Sequence, residues 1–284
     1  MRMKVYGFPG QGSQRKGMGG DLFERYPEVT AAADSILGYS VRRLCLEDPG
    51  GRLRLTQFTQ PALYVVEVLT YLERQRQDPQ PPDWLLGHSV GEYAALFAAG
   101  AFDFATGLRL VRRRAELMAL AGGGGMAAVI GCDLTTVEAV LAEAGLTGLD
   151  IANHNAPAQF VLAGPQEELD EARRCFEKLE ARCVPLNVSA AFHSRYMREA
   201  AIEFRKVLAD SIFYTPRVPV LANVDAHPYR PDRIPETLAG QLDHSVRWLE
   251  CIHYLTGIGD FTFTELGPGQ TLSKLVSKIN FAAS

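Results

Sequence analysis

The chain has 284 residues, room for about two domains of ~150 residues each. Apolar residues make up 47% and charged residues 22%, which excludes a disordered or low-complexity chain. Twenty-nine basic against 33 acidic side chains leave a net charge of -4, so no basic surplus is present to neutralise a nucleic-acid backbone.

Lys4 to Phe8 reads as a first strand, followed at once by the turn residues Pro9-Gly10-Gln11-Gly12-Ser13-Gln14. Apolar spacing predicts helices over Thr30 to Leu37 and Gln60 to Arg74. Pro79, Pro81 and Pro82 cannot continue the second, because proline lacks a donor and fixes φ. Trp84 to Gly87 reads as a short buried strand that turns at His88-Ser89 into a helix over Val90 to Ala99, and a further helix is expected over Phe104 to Leu120. Four glycines, Gly122 to Gly125, mark a hinge or boundary. Beyond them, strands are expected at Met126 to Gly131, Leu149 to Asn153, Gln159 to Ala163 and Val184 to Val188. Helices are expected at Thr135 to Ala144 and Glu167 to Ala181. That βαββαβ order is the ferredoxin-like pattern. A helix over Arg195 to Asp210, a strand at Val218 to Asn223 and a strand-then-helix over Phe261 to Ile279 return to α/β character. The expected architecture is a large α/β unit, residues 1–125 and 195–284, with a ferredoxin-like unit, residues 126–194, inserted into it.

Apolar runs such as Ala94 to Ala101 fall short of the roughly 18 to 20 residues that span a bilayer. The first residues show neither the apolar core nor the cleavage site of a secretory signal, so a cytoplasmic protein is expected. Five scattered cysteines without C-x-x-C spacing suggest neither a disulfide framework nor a structural zinc site.

The chemistry points to Gly87-His88-Ser89-Val90-Gly91, a G-x-S-x-G turn between a strand and a helix. Flanking glycines relieve crowding, and the helix start aims free amides at the serine, with that of Val90 placed to hold an oxyanion. The competing role for Ser89 is to cap that helix. A serine nucleophile needs a base, and six histidines are available. His88 would point away from its neighbour, and His193, where the chain re-enters the large unit, remains one candidate among several. Arg112, Arg113 and Arg114 form a run in which spacing selects none. The Gly10-to-Gly12 loop has no Walker lysine after it, which weighs against phosphate binding.

These motifs, in this order, resemble the malonyl-CoA:acyl carrier protein transacylase family, most closely the discrete trans-acting acyltransferases of modular polyketide synthases. The resemblance runs from Phe8 to about Ile279. It is carried by Phe8 to Gln14, Thr59-Gln60-Pro61-Ala62-Leu63, Gly87 to Tyr93, Arg114, Asn153-His154-Asn155-Ala156-Pro157, Ala191-Phe192-His193-Ser194, Asn223-Val224-Asp225, Gly240-Gln241-Leu242 and Gly267-Pro268-Gly269. It implies an α/β-hydrolase-like large subdomain with a ferredoxin-like small one, and a Ser89–His193 dyad. The amides of Gln11 and Val90 would form the oxyanion hole, and the carbonyl of Gln241 would orient the base. Arg114 would grip the malonyl carboxylate, and Gln60, His88, Asn155 and Phe192 would contact substrate. A phenyl ring at Phe192 goes with malonyl over branched acyl units, a methyl being worth about 1–3 kcal/mol.

The implied reaction is ping-pong malonyl transfer from malonyl-CoA to the phosphopantetheine thiol of an acyl carrier protein. It would serve polyketide synthesis, with fatty-acid synthesis or an editing thioester hydrolase as alternatives. No metal or redox cofactor, no nucleic acid and no membrane is implied, and a monomer is the default. A scaffold protein with a decayed site is disfavoured by intact Ser89 and His193.

Overall fold

In a computed structural model, residues 2–282 are described. Eight strands form two separate four-stranded sheets. The first sheet contains β1 (Met3–Phe8), β2 (Trp84–Gly87), β7 (Val220–Leu221) and β8 (Phe261–Glu265), in the order β7-β2-β1-β8 and parallel throughout. Successive side chains of a strand point to opposite faces, and both faces of this sheet are covered. Tyr6, Phe8 and Leu85 enter the core under helices Thr56–Gln77, Gly91–Ala98 and Phe104–Leu120. Val5 and Leu86 enter the opposite core with Trp248, Leu255 and Leu272, from helices Trp248–Ile258 and Thr271–Ala282.

The second sheet contains β3 (Gly125–Ile130), β4 (Asp150–Ala156), β5 (Gln159–Gly164) and β6 (Arg182–Pro185). It is antiparallel, in the order β4-β5-β3-β6 of a ferredoxin-like unit. Ala127, Val129, Phe160 and Leu162 face helices Leu134–Glu143 and Gln166–Lys178 and form a core with Val137 and Phe176. The alternate residues Met126, Ala128, Gln159 and Val161 face a cavity shared with the large unit. The two units are joined where Val246 pairs with β4: Val246 N donates to Ala152 O at 2.8 Å, and His154 N to Val246 O at 2.9 Å.

The α/β class with a ferredoxin-like unit is observed; several boundaries differ from expectation. The helix expected to open at Gln60 begins at Thr56 and carries Pro61 inside it, since Leu55 O already accepts from the amides of Phe58 and Thr59. β6 is Arg182–Pro185 rather than Val184 to Val188. Pro185 cannot donate to the ladder, and after Leu186 N meets Met126 O at 2.8 Å the chain leaves the sheet, with Leu186 and Val188 lining the cavity. The strand expected over Val218 to Asn223 is only Val220–Leu221, because Ala222 N closes a turn onto His227 O. The helix expected from Arg195 opens with a 3-10 turn, Arg195–Met197, before the α-helix Arg198–Ala209. Helix Trp248–Ile258 was not anticipated, although Trp248, Leu249, Cys251, Ile252 and Leu255 carry its buried spacing. No helix among the described residues is long and apolar enough to cross a membrane.

Candidate active site

The turn after β2 is forced by close approach. A Cβ on Gly87 would lie 2.0 Å from the carbonyl carbon of Gly91, and one on Gly91 would lie 2.1 Å from Phe8 O. Ser89 between them sits at φ +54°, a left-handed conformation that costs a non-glycine residue roughly 1–2 kcal/mol. Both of its backbone polar groups are held by side chains from elsewhere. Ser89 N donates to Asn223 Oδ1 at 2.7 Å, and Gln241 Nε2 donates to Ser89 O at 3.0 Å.

The hydroxyl caps no helix. Ser89 Oγ lies 2.7 Å from His193 Nε2 and accepts from Arg114 Nη2 at 3.0 Å. His193 Nδ1 is 2.8 Å from Gln241 O, a carbonyl that can only accept, which assigns the proton to Nδ1 and leaves Nε2 to accept from the serine. No carboxylate takes part in this chain of bonds. The ring is buried and sits beside the Arg114 cation. Burial first and that charge second push its pKa down to about 3, so the imidazole is neutral at ordinary pH. His193 also lies at positive φ, +58°, with its amide donating to Leu242 O at 3.1 Å.

Folding separates the three arginines. Arg112 and Arg113 bond Glu116 at the surface, while Arg114 is fully buried. Arg114 Nη1 donates to Gln60 Oε1 at 2.5 Å, and Nη2 donates to Gln241 Oε1 at 2.8 Å as well as to the serine. Its guanidinium carbon lies 5.7 Å from the Tyr93 ring centroid. Burial lowers its pKa, yet arginine keeps its charge in proteins. A cation this deep, bonded only to neutral oxygens, favours an anionic group beside it.

A cavity of about 260 Å³ opens over this cluster between the two units. Every residue expected at the site except Gln241 lines it. Gln241 is buried behind Arg114 and reaches Ser89 and His193 from there. Gln11 and Val90 border the cavity near Ser89, and neither amide donates a hydrogen bond among the described residues. His88 turns from Ser89 and meets Asn155 Oδ1 through Nε2 at 2.8 Å, against the Trp248 ring. Burial lowers its pKa. Phe192 is buried in the cavity wall, to which Met118, Met126, Val161 and Leu275 also contribute apolar side chains. Asn223 had no expected role. Its motif was visible in the sequence, but nothing local announced that it would meet a turn 134 residues away.

The acyl transferase domain family matches residues 5–274. The chain is similar to a polyketide biosynthesis malonyl CoA-acyl carrier protein transacylase of Bacillus velezensis, 52% identical over 98% of this chain and 96% of that protein. It is also similar to the malonyl CoA-acyl carrier protein transacylase of a Synechocystis species, 43% identical over 95% and 92% of the two chains. Among solved structures, a malonyl CoA-acyl carrier protein transacylase from Burkholderia pseudomallei superposes with a TM-score of 0.97 at 47% identity, covering 99% of both chains.

Proposed function

From the premise that this chain belongs to the acyl transferase domain family, we propose that it transfers a malonyl group from malonyl-CoA to the phosphopantetheine thiol of an acyl carrier protein through an ester on Ser89. Ser89 Oγ attacks the thioester carbonyl while its proton passes to His193 Nε2. The oxyanion is held by the amides of Gln11 and Val90, each such donor being worth about 3–4 kcal/mol. Collapse expels the CoA thiolate, which takes the proton from His193. The carrier thiol then gives its proton to the same nitrogen as its sulfur attacks the ester, and Ser89 leaves with that proton. The Gln241 carbonyl orients the imidazole, so a dyad serves where other hydrolase-like sites use a buried acid.

Arg114 receives the free carboxylate in a two-pronged pair that lysine could not copy. Gln60 fixes the guanidinium, and His88, Asn155 and Phe192 shape the space around the acyl group. The observation that carries the proposal is the convergence of Arg114 Nη2 and His193 Nε2 on one hydroxyl, at 3.0 and 2.7 Å, under a single cavity. The division into residues 1–125 with 195–284, and 126–194, puts that cavity at the junction. Service to polyketide rather than fatty-acid synthesis is supported by the higher identity to the polyketide relative, 52% against 43%. A hydrolase that edits varied acyl chains would have no use for a buried carboxylate clamp. Intact-protein mass spectrometry after exposure to malonyl-, methylmalonyl- and acetyl-CoA should show one malonyl adduct, absent from Ser89→Ala. A malonyl adduct persisting in that variant would refute the assignment.

A further inference from the structure

The Ser89 turn is strained, and the side chain that holds its amide is itself held by a carboxyl group that the mechanism does not use. Asn223 is fully buried and touches both ends of the turn: Oδ1 accepts from Ser89 N at 2.7 Å, and Nδ2 donates to Gly87 O at 2.8 Å. It lies just past the two-residue strand β7, outside the ladder. Its carbonyl accepts from Arg247 N at 3.0 Å, and its amide donates to Glu92 Oε1 at 2.5 Å. Glu92 is fully buried in the first turn of the helix that follows the serine. The path therefore closes on itself: Ser89 to Asn223 to Glu92, and along the helix start back to Ser89.

We propose that Asn223, seated by Glu92, is a positioning residue for the acyl-transfer step, keeping Ser89 in its left-handed conformation so that Oγ meets His193 and the Val90 amide stays turned toward the cavity. This rests on Ser89 being the acylated residue. Engaging the Ser89 amide with Asn223 reserves that donor, leaving the next amide along for the oxyanion. Without the bond, the serine can relax to an ordinary negative φ. Such a rotation carries Oγ off the imidazole, and displacements of about 1 Å at a reacting atom can cost ~10²-fold in rate. Substrate contacts made by Arg114, Gln60 and Phe192 come from other elements and survive the change. The loss therefore falls on kcat and not on KM.

Burial pushes Glu92 up to about 8, so near neutral pH it is largely protonated. Its task of accepting one N–H needs no charge, and Glu92→Gln should be close to neutral. The test is rapid-quench measurement of Ser89 acylation by malonyl-CoA, with folding followed by thermal melting. Asn223→Ala should lose about 10²-fold in acylation rate with KM within about threefold. Glu92→Ala should lose about tenfold, and Glu92→Gln should restore the rate to within about threefold. If Asn223→Ala does not fold, Asn223→Gln, which shifts the amide by one methylene, should show at least a tenfold loss. A folded Asn223 variant acylating at the parent rate, or one altered only in KM, overturns the proposal. So does Glu92→Gln behaving like Glu92→Ala. Persistent labelling of Ser89→Ala is a separate outcome that removes the nucleophile assignment on which the proposal rests.

Discussion

The two sheets carry opposite kinds of interior. Between β3 and Val188 the buried polar side chains among the described residues are Asn153 and Asn155 alone, and Asn155 bonds across to His88 in the large unit. The rest of that interior is close-packed Ala127, Val129, Phe160, Leu162, Phe176 and their neighbours. The large unit buries Gln60, Glu67, Arg114, Asn223 and Gln241 outright and holds Ser89 at positive φ, where His193, at the end of the inserted segment and also at positive φ, meets it. The interior of the small sheet therefore supplies packing and shape, and the junction of the units stores strain and unneutralised charge beside the proposed nucleophile.

The comparison breaks most visibly at His193, the proposed base. His193→Ala should cut malonyl transfer by about 10²- to 10⁴-fold with little change in stability. Because His193 is held at about 3, kcat/KM of the parent should stay flat from pH 8 down to pH 5. An acid limb near the ordinary histidine value of ~6.5 would contradict that environment. Arg114→Ala should lose about 10³-fold in kcat/KM for malonyl-CoA, the worth of two charge-assisted bonds, and gain relative activity toward acetyl-CoA. Removing that cation also relieves one of the causes depressing His193, so an acid limb should move up toward neutral pH in the variant.

The small unit should answer the other way. Phe176→Ala, at a fully buried position, should cost about 3–5 kcal/mol in chemical denaturation. Acylation per folded molecule should stay within about threefold, and a large kinetic loss would show that the helix-side core of this unit also sets the position of its cavity face.

The smallest effect sharpens the contrast within the large unit. Both oxygens of Glu67 are buried without a partner among the described residues, and burial with the nearby Glu265 charge holds its pKa well above normal. The folded protein keeps this proton while the unfolded chain releases it above about pH 4.5, so stability falls as pH rises through that region. Glu67→Leu should raise Tm by about 2–4 °C at pH 8 and by less at pH 5, measured by calorimetry.

Much of this molecule was legible from local pattern. The short apolar runs of β1, β3 and β5, the glycine-flanked serine and the helix over Phe104–Leu120 all follow from local apolar pattern and backbone sterics, which act within a few residues. The βαββαβ order needed nothing more. Edges escaped where the chain turned back on itself, as at β7, which ends in a turn from Ala222 onto His227. Without the family resemblance, the sequence could not separate Arg114 from Arg112 and Arg113, or His193 from five other histidines. It assigned no task to Asn223 or Glu92. Those choices are made by burial and by hydrogen bonds between residues 25 to 134 positions apart. A charge three residues along a helix is equivalent until packing removes water from one of them, and only the tertiary structure decides which.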